Sequence, residues 1–174
     1  MKRLGSFIAV MAGLLVTAAV ARGDTLQATL TGYEEVPSVS TIANGDFRAI
    51  IEDGTNDHFH YSLTFSGLQG TITQSHIHIA SSAVNGSIVI WLCQTNTNKD
   101  PTGLSPECPQ EGTVTGRITA ANVIAGSMTT QQLNAGDFAG ALAAMRAGAA
   151  YANVHTSPLS PGGEIRGQIR GIGK

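Results

Sequence analysis

Apolar and polar residues alternate in short segments along most of the chain, and Gly, Asn, Asp and Pro separate one segment from the next. Alternation with a period of two is typical of β-strands that have one buried face, and a long series of them is typical of an all-β domain. The segments with this pattern are residues 26–33, 45–52, 58–66, 71–80, 87–93, 112–119, 151–155 and 163–170. We therefore expect an all-β fold, a Greek-key-like β-sandwich or barrel of about eight strands.

One segment departs from this alternation. Residues 137–147 are rich in alanine, and Phe138, Leu142 and Met145 are spaced to form a single apolar stripe on a helix. Asp is a favourable residue at a helix start and Gly148 at a helix end. The pattern predicts one short helix that covers an open end or edge of the sheet, with Met145 as a packing residue.

The amino terminus has the pattern of a secretory signal peptide. Lys2 and Arg3 precede an apolar run over residues 7–20, which ends in the small residues of a cleavage site. This predicts a signal peptide over residues 1–21 and a single domain over residues 22–174. The apolar run is shorter than the about 20 residues that span a bilayer. We therefore expect a periplasmic or secreted protein with no membrane span after signal-peptide removal.

Two cysteines, Cys93 and Cys108, lie in the part of the chain that we expect to be exported. An oxidising compartment favours a disulfide between them, whereas two thiols that bind a metal are the alternative. Neither residue belongs to a CxxC pair, and this favours the disulfide. A bridge that closes a loop of this length stabilises a fold by about 3 kcal/mol.

Composition and motifs argue against several classes of function. Charged residues make up 13% of the chain and the net charge is −2, so we expect no nucleic-acid partner. No GxSxG motif and no phosphate-binding glycine loop occurs, so we expect neither hydrolytic catalysis nor an organic cofactor. Glu34 and Glu35 are adjacent, and on a strand they point to opposite faces, which argues against a catalytic carboxylate pair.

The five histidines of the chain fall in three of the predicted strands. Alternation places His58 and His60 opposite the apolar face of one strand, and His76 and His78 opposite the apolar face of the next. The short connection SGLQG predicts an antiparallel hairpin between these two strands, which would bring the four rings onto one polar surface. His155 also lies opposite the apolar residues of its strand.

Three stretches resemble the CHRD domain, a module named after its repeats in chordin, as found in bacterial secreted single-domain members. They are LTGYEEVPSVSTIANGDFRAII, SHIHIA and GAAYANVHTSPLSPGGEIRGQI, in this order, and the resemblance covers about residues 26–170. Membership implies a secreted β-sandwich or barrel, and it implies fold and compartment more than activity.

The histidine pattern suggests a metal site. Two ligands at positions i and i+2 of a strand can bind one metal ion, and imidazole suits copper and zinc. We expect copper, with zinc as the alternative, at His76, His78 and His155, with His60 as the fourth ligand and His58 as a weaker candidate. The spacing is similar to the copper site of copper–zinc superoxide dismutases, although no string of residues matches those enzymes.

Two other residues of the last CHRD-like motif have alternative readings. Glu164 can orient a histidine ring through its second nitrogen. The interpretation that we favour is that Glu164 and Arg166 form a surface ion pair or hold a β-turn.

The sequence thus predicts an exported metal-binding protein that uses a surface histidine cluster for metal handling or storage. A structural or interaction module that binds an extracytoplasmic protein or a polysaccharide without metal is the alternative. Superoxide-dismutase-like redox activity is a further alternative.

Overall fold

The computed structural model describes residues 23–52 and 55–172. It contains nine strands, which confirm the predicted all-β class: β1 Asp24–Thr31, β2 Asn44–Ile51, β3 His58–Ser66, β4 Thr71–Ile79, β5 Ser87–Cys93, β6 Gly112–Thr119, β7 Ala150–Ser157, β8 Ile165–Gln168 and β9 Arg170–Gly171. The last predicted strand is divided into β8 and β9. The predicted signal peptide, residues 1–21, lies outside the described residues.

The strands form one antiparallel sheet that is nearly closed into a barrel. Its order is β5-β4-β7-β8-β1-β2-β3-β6, and β9 pairs with β1. The segment after β6 brings the two edges together, because Val123 forms a bridge with Ile90 and the Ile124 amide donates to the Val89 carbonyl at 3.0 Å. In this order, strand β4, which carries the SHIHI run, lies between the edge strand β5 and β7.

Alternating apolar side chains fill the inside of this sheet. In β3, Phe59, Tyr61, Leu63 and Phe65 are each at most 4% exposed, while the residues between them face outward. Burying one such large apolar side chain contributes roughly 1.5–3 kcal/mol. The core face was therefore predictable from the period of the sequence.

The predicted helix is present as α1, Phe138–Arg146. Asp137 caps its start by accepting a hydrogen bond from the Gly140 amide at 2.9 Å, and Gly148 follows its end with a φ of 70°. Phe138 packs against Phe59, with ring centroids 5.8 Å apart, and Met145 is buried in the same core. The helix is thus a packing element of the barrel.

The predicted hairpin between β3 and β4 is wrong. Strand β3 pairs with β2 and β6, and β4 pairs with β5 and β7. The connecting segment crosses between distant strands of the sheet, because the amides of Gln69 and Gly70 donate to the Glu164 carboxylate, at 2.8 and 3.4 Å, instead of closing a turn. A short glycine-containing connection is therefore not sufficient to specify a hairpin.

The predicted disulfide between Cys93 and Cys108 is present. It joins the end of β5 to the polar segment that precedes β6, and it excludes the alternative of thiol ligands. Within the described ranges, no helix has the length and apolar character needed to cross a membrane.

Candidate metal centre

Three histidines from two neighbouring strands meet on the outer face of the sheet. His76 and His78 are two residues apart on β4, and His155 lies on β7, the strand beside it. The pairing register places His76 opposite Asn153 and His78 opposite Tyr151. Alternation then directs all five side chains to one face. The pleat of two strands is therefore sufficient to gather the three imidazoles.

The ring nitrogens are close enough to bind one ion. One nitrogen from each of the three rings lies within 4.8 Å of the other two. Nδ1 of His76 is 3.3 Å from Nε2 of His155. With metal–nitrogen bonds of about 2.0 Å, two ligands of a tetrahedral centre lie about 3.3 Å apart. The separation between His76 and His155 matches this distance, and the His78 nitrogen lies within 4.8 Å of both.

The histidine cluster of His76, His78 and His155 is buried, so the expectation of a surface cluster is wrong. His76 is 0% exposed, His155 6% and His78 7%. Trp91 of β5 packs edge-on against His76 at a centroid distance of 4.3 Å, and Tyr151 stacks on His78 at 4.6 Å. The outer face of the sheet is therefore covered at this point, which the period of β4 alone does not reveal.

Backbone carbonyls fix the orientation of two of the rings. Nδ1 of His78 lies 2.9 Å from the Gly86 carbonyl oxygen, and Nδ1 of His155 lies 3.0 Å from the Pro161 carbonyl oxygen. A carbonyl only accepts, so both Nδ1 atoms donate a proton and both Nε2 atoms carry a lone pair. Metal-binding histidines commonly donate their second nitrogen to a carbonyl or carboxylate in this way.

All three rings are neutral near pH 7. Burial lowers the pKa of His78 to about 4 and, with the neighbouring rings, lowers that of His76 well below its ordinary value. Burial also lowers the pKa of His155, against the opposing effect of the Pro161 carbonyl. Since a metal binds neutral imidazole, no proton has to be displaced at neutral pH.

Two of the ring nitrogens have no hydrogen-bond partner. Nε2 of His76 and Nε2 of His78 are buried and unpaired among the residues that the structure describes. A buried polar atom without a partner costs about 1–3 kcal/mol. If Nδ1 of His76 faces the ion, Nε2 of His76 carries the proton of that neutral ring, so of these two atoms only Nε2 of His78 offers a lone pair. With Nδ1 of His76 and Nε2 of His155 this gives three nitrogen donors, so the residues present fit a bound transition metal.

A buried carboxyl group, Glu35, lies beside the histidine cluster, and the sequence reasoning missed it. Strand β1 ends at Thr31, so Glu34 and Glu35 belong to a 3-10 turn and its end rather than to a strand; Glu35 is 5% exposed and Glu34 is exposed. Burial raises the pKa of Glu35 to about 7, although Arg166 and hydrogen bonds to Val36 and Asn153 oppose the rise. The GYEEVP string had no periodic signal that could reveal this.

Gly163 closes the loop before β8 over this carboxyl group. It has a φ of 129°, and a Cβ atom at this position would lie 2.3 Å from Oε1 of Glu35. No other residue type fits there without displacing the carboxyl group. The glycine of the PGGEIRG string therefore serves the packing of this site.

Glu164 holds loops together and does not orient a histidine. Its buried carboxylate accepts hydrogen bonds from the hydroxyls of Thr41 and Thr156, at 2.8 and 2.7 Å, and from the amides of the β3–β4 connection. Burial opposes its ionisation, but these hydrogen bonds outweigh it and keep the pKa of Glu164 below the ordinary value. Of its three predicted readings, the structure agrees with the anchoring one, although the carboxylate is buried and not at the surface.

Arg166 is buried and lies over an aromatic ring of the site. It is 1% exposed, its guanidinium lies 3.4 Å from the Tyr151 ring centroid, and it donates to the Val84 carbonyl at 2.9 Å and to the Asn85 side chain at 3.2 Å. Among the described residues it forms no ion pair with Glu164. Its positive charge helps to lower the pKa of His78, after the larger effect of burial.

His58 and His60 do not join this cluster. They lie on β3, opposite Thr119 and Arg117 of β6, because β3 and β4 are not paired. His58 contacts the exposed carboxylate of Asp57 at 2.7 Å, and His60 is exposed. The expectation of His60 as a fourth ligand and His58 as a weaker one is therefore not met by this arrangement.

The family comparison agrees with the resemblance seen in the sequence. The family model of the CHRD domain matches residues 26–169, nearly the whole described part of the chain, and the protein belongs to this family. Searches of curated proteins and of solved structures found no significant match.

Proposed function

We propose that this CHRD-domain protein is an exported metal-binding protein that holds copper(II), with zinc(II) as the alternative, for metal handling or storage. The observation that carries the proposal is the histidine cluster, with three buried imidazole nitrogens within 4.8 Å of one another. Three neutral nitrogen donors favour copper(II) over the other divalent first-row ions by the usual affinity order.

The burial of the cluster favours binding over turnover. Trp91 and Tyr151 cover two of the rings, and Arg166 lies over Tyr151. A catalytic metal keeps an open position for its substrate, whereas a storage or structural centre is closed. The buried arrangement therefore supports holding an ion more than redox chemistry on one.

Export is supported by the disulfide and by the amino-terminal pattern. A disulfide persists in an oxidising compartment, and the apolar run before Arg22 has the features of a signal peptide. Mass spectrometry of protein recovered from the periplasm or the medium should show an amino terminus at or near Arg22. An intact Met1 in that fraction would contradict export by this route.

Calorimetric titration with Cu(II) and Zn(II) tests metal binding. We expect one bound ion per chain, and His76→Ala, His78→Ala and His155→Ala should each weaken binding at least tenfold, about 1.4 kcal/mol. His58→Ala and His60→Ala are matched controls, because these rings lie outside the cluster. They should bind like the wild type.

The only tryptophan of the chain provides an independent readout. Trp91 contacts His76, so Cu(II) in the cluster should quench its fluorescence. A melting curve for each variant separates lost binding from lost folding. Wild-type protein that binds no tighter than about 0.1 mM, the range of unorganised imidazoles, would overturn the proposal in favour of an interaction module.

A further inference from the structure

The three histidines supply only nitrogen donors, and both a tetrahedral Zn(II) centre and a square-planar or tetragonal Cu(II) centre take at least one further ligand. The side chain that is placed to supply it is Asn153, which lies directly opposite His76 and two residues before His155 on β7. Asn153 is 2% exposed, so its amide cannot turn out to solvent. Its oxygen must therefore be accounted for inside the site.

The side-chain oxygen of Asn153 faces a ring nitrogen of His155 that has no proton to donate to it. Oδ1 of Asn153 lies 3.1 Å from Nε2 of His155. Since Nδ1 of His155 donates to the Pro161 carbonyl, Nε2 of the neutral ring carries a lone pair. Two acceptors at this distance repel each other unless something positive lies near both of them.

The distances around this oxygen fit a shared positive ion. Oδ1 of Asn153 lies 3.1 Å from Nε2 of His155, and that nitrogen lies 3.3 Å from Nδ1 of His76. Two ligand atoms of a tetrahedral centre with bonds of about 2.0 Å are about 3.3 Å apart. An ion between these three atoms would therefore offset the repulsion between their lone pairs.

We propose that Oδ1 of Asn153 is the fourth ligand of the histidine cluster, so that the centre has three nitrogen donors and one oxygen donor and is specific for a divalent ion. This inference rests on the proposed function. Amide oxygen is a hard donor, and monovalent copper prefers sulfur and nitrogen. The site therefore holds copper as Cu(II), or holds Zn(II). Asn153 adds no affinity for Cu(I).

The test compares Asn153→Leu, which removes the oxygen, with Asn153→Asp, which retains one. Calorimetry with Cu(II) should show at least tenfold weaker binding for Asn153→Leu, about 1.4 kcal/mol, and no loss for Asn153→Asp. Binding of Cu(I) should change less than about twofold in both variants. Electron paramagnetic resonance of the Cu(II) forms should give altered copper hyperfine splitting in both, because Asn153→Leu removes the oxygen ligand and Asn153→Asp replaces a neutral amide oxygen by a charged carboxylate oxygen.

Asn122→Leu is the matched control. It removes another buried asparagine, whose hydrogen bonds are made to Thr119, so it should lower the melting temperature and leave the copper spectrum unchanged. If Asn153→Leu does not fold, the copper hyperfine splitting of Asn153→Asp tests the proposal, and a splitting equal to that of the wild type would contradict it.

Two outcomes overturn the inference in different ways. If Asn153 variants bind Cu(II) with wild-type affinity and spectrum while His76→Ala does not bind, the oxygen is not a ligand and the proposed function stands. If the wild-type protein takes up no Cu(II) or Zn(II), both proposals fail together.

Discussion

Nδ1 of His76 lies 3.3 Å from Nε2 of His155, although the two residues are 79 positions apart in the chain. The contact arises because β4 and β7 pair in antiparallel register and both side chains point to the outer face of the sheet. The loops that carry Gly86 and Pro161 then orient His78 and His155 through their carbonyl groups. The grouping of the three imidazoles is thus a direct product of one strand pairing and two loop contacts.

The first prediction concerns the pH dependence of metal binding. Three imidazoles with ordinary pKa values near 6.5 would lose several-hundred-fold in affinity between about pH 7 and about pH 5.5, because protons compete for each ring. Burial lowers the pKa of His78 to about 4, and those of His76 and His155 are lowered as well. We therefore expect the Zn(II) affinity to fall by much less than several-hundred-fold over this interval. Calorimetry at the two pH values distinguishes these outcomes, and a several-hundred-fold loss would show that the rings are solvated.

The second prediction concerns Glu35 in the metal-free protein. Its pKa is raised to about 7 from 4.5, so the folded protein binds more protons than the unfolded chain between these values, and stability falls as the pH rises through this window. Glu35→Gln mimics the protonated form and removes this loss. We expect it to unfold like the wild type below about pH 4.5 and to be more stable by up to ~3 kcal/mol at about pH 8.

Urea denaturation in the presence of a chelator measures this difference. The control is Glu34→Gln, because Glu34 is the exposed neighbour in the same turn. It should not change the pH dependence. Equal stabilities of Glu35→Gln and wild type at every pH would mean that the carboxyl group is not buried in solution.

A third prediction is that α1 stabilises the barrel and takes no part in metal binding at the histidine cluster. Phe138 and Leu142 are 5% and 2% exposed, and their replacement by alanine should each cost about 2–5 kcal/mol through lost burial and cavity formation. Ala143→Gln, on the exposed side of the same helix, should change stability by less than about 0.5 kcal/mol. Thermal melts measure these effects. Loss of Cu(II) affinity in a folded Phe138→Ala or Leu142→Ala variant would contradict the separation of the two regions.

The disulfide gives a fourth prediction. Cys93 and Cys108 are separated by 15 positions, and a bridge of this span stabilises the fold by about 3 kcal/mol, chiefly by restricting the unfolded chain. The double variant Cys93→Ser and Cys108→Ser should therefore unfold at a lower denaturant concentration, as should reduced wild type. Metal binding should persist in the folded variant, because neither sulfur belongs to the histidine cluster. An unchanged unfolding midpoint would show that the bridge adds no stability.

Local patterns in the sequence determined much of the fold. The period of two in HFHYSLTF selected the buried face of β3, because neighbouring side chains of a strand point to opposite sides. The alanine-rich segment between Asp137 and Gly148 determined α1 through its cap, its apolar stripe and its glycine end. These features depend on residues close together in the chain, so they can be read without knowledge of the rest.

Only the tertiary structure decided which strands are neighbours and which faces are covered. The connection between β3 and β4 resembles a hairpin, but its amides bind the distant carboxylate of Glu164, and β4 pairs with β7 instead. That choice brings His155 to His76 and His78 and leaves His58 and His60 on another strand.

The covering of the cluster has the same origin. Trp91 and Tyr151 reach it through the register of β5 and β7 with β4. Alternation specifies which side of its own strand a residue occupies, but not what packs over that side. The histidine spacing was therefore determined by the sequence, whereas the burial that keeps the three rings neutral depends on contacts between distant parts of the chain.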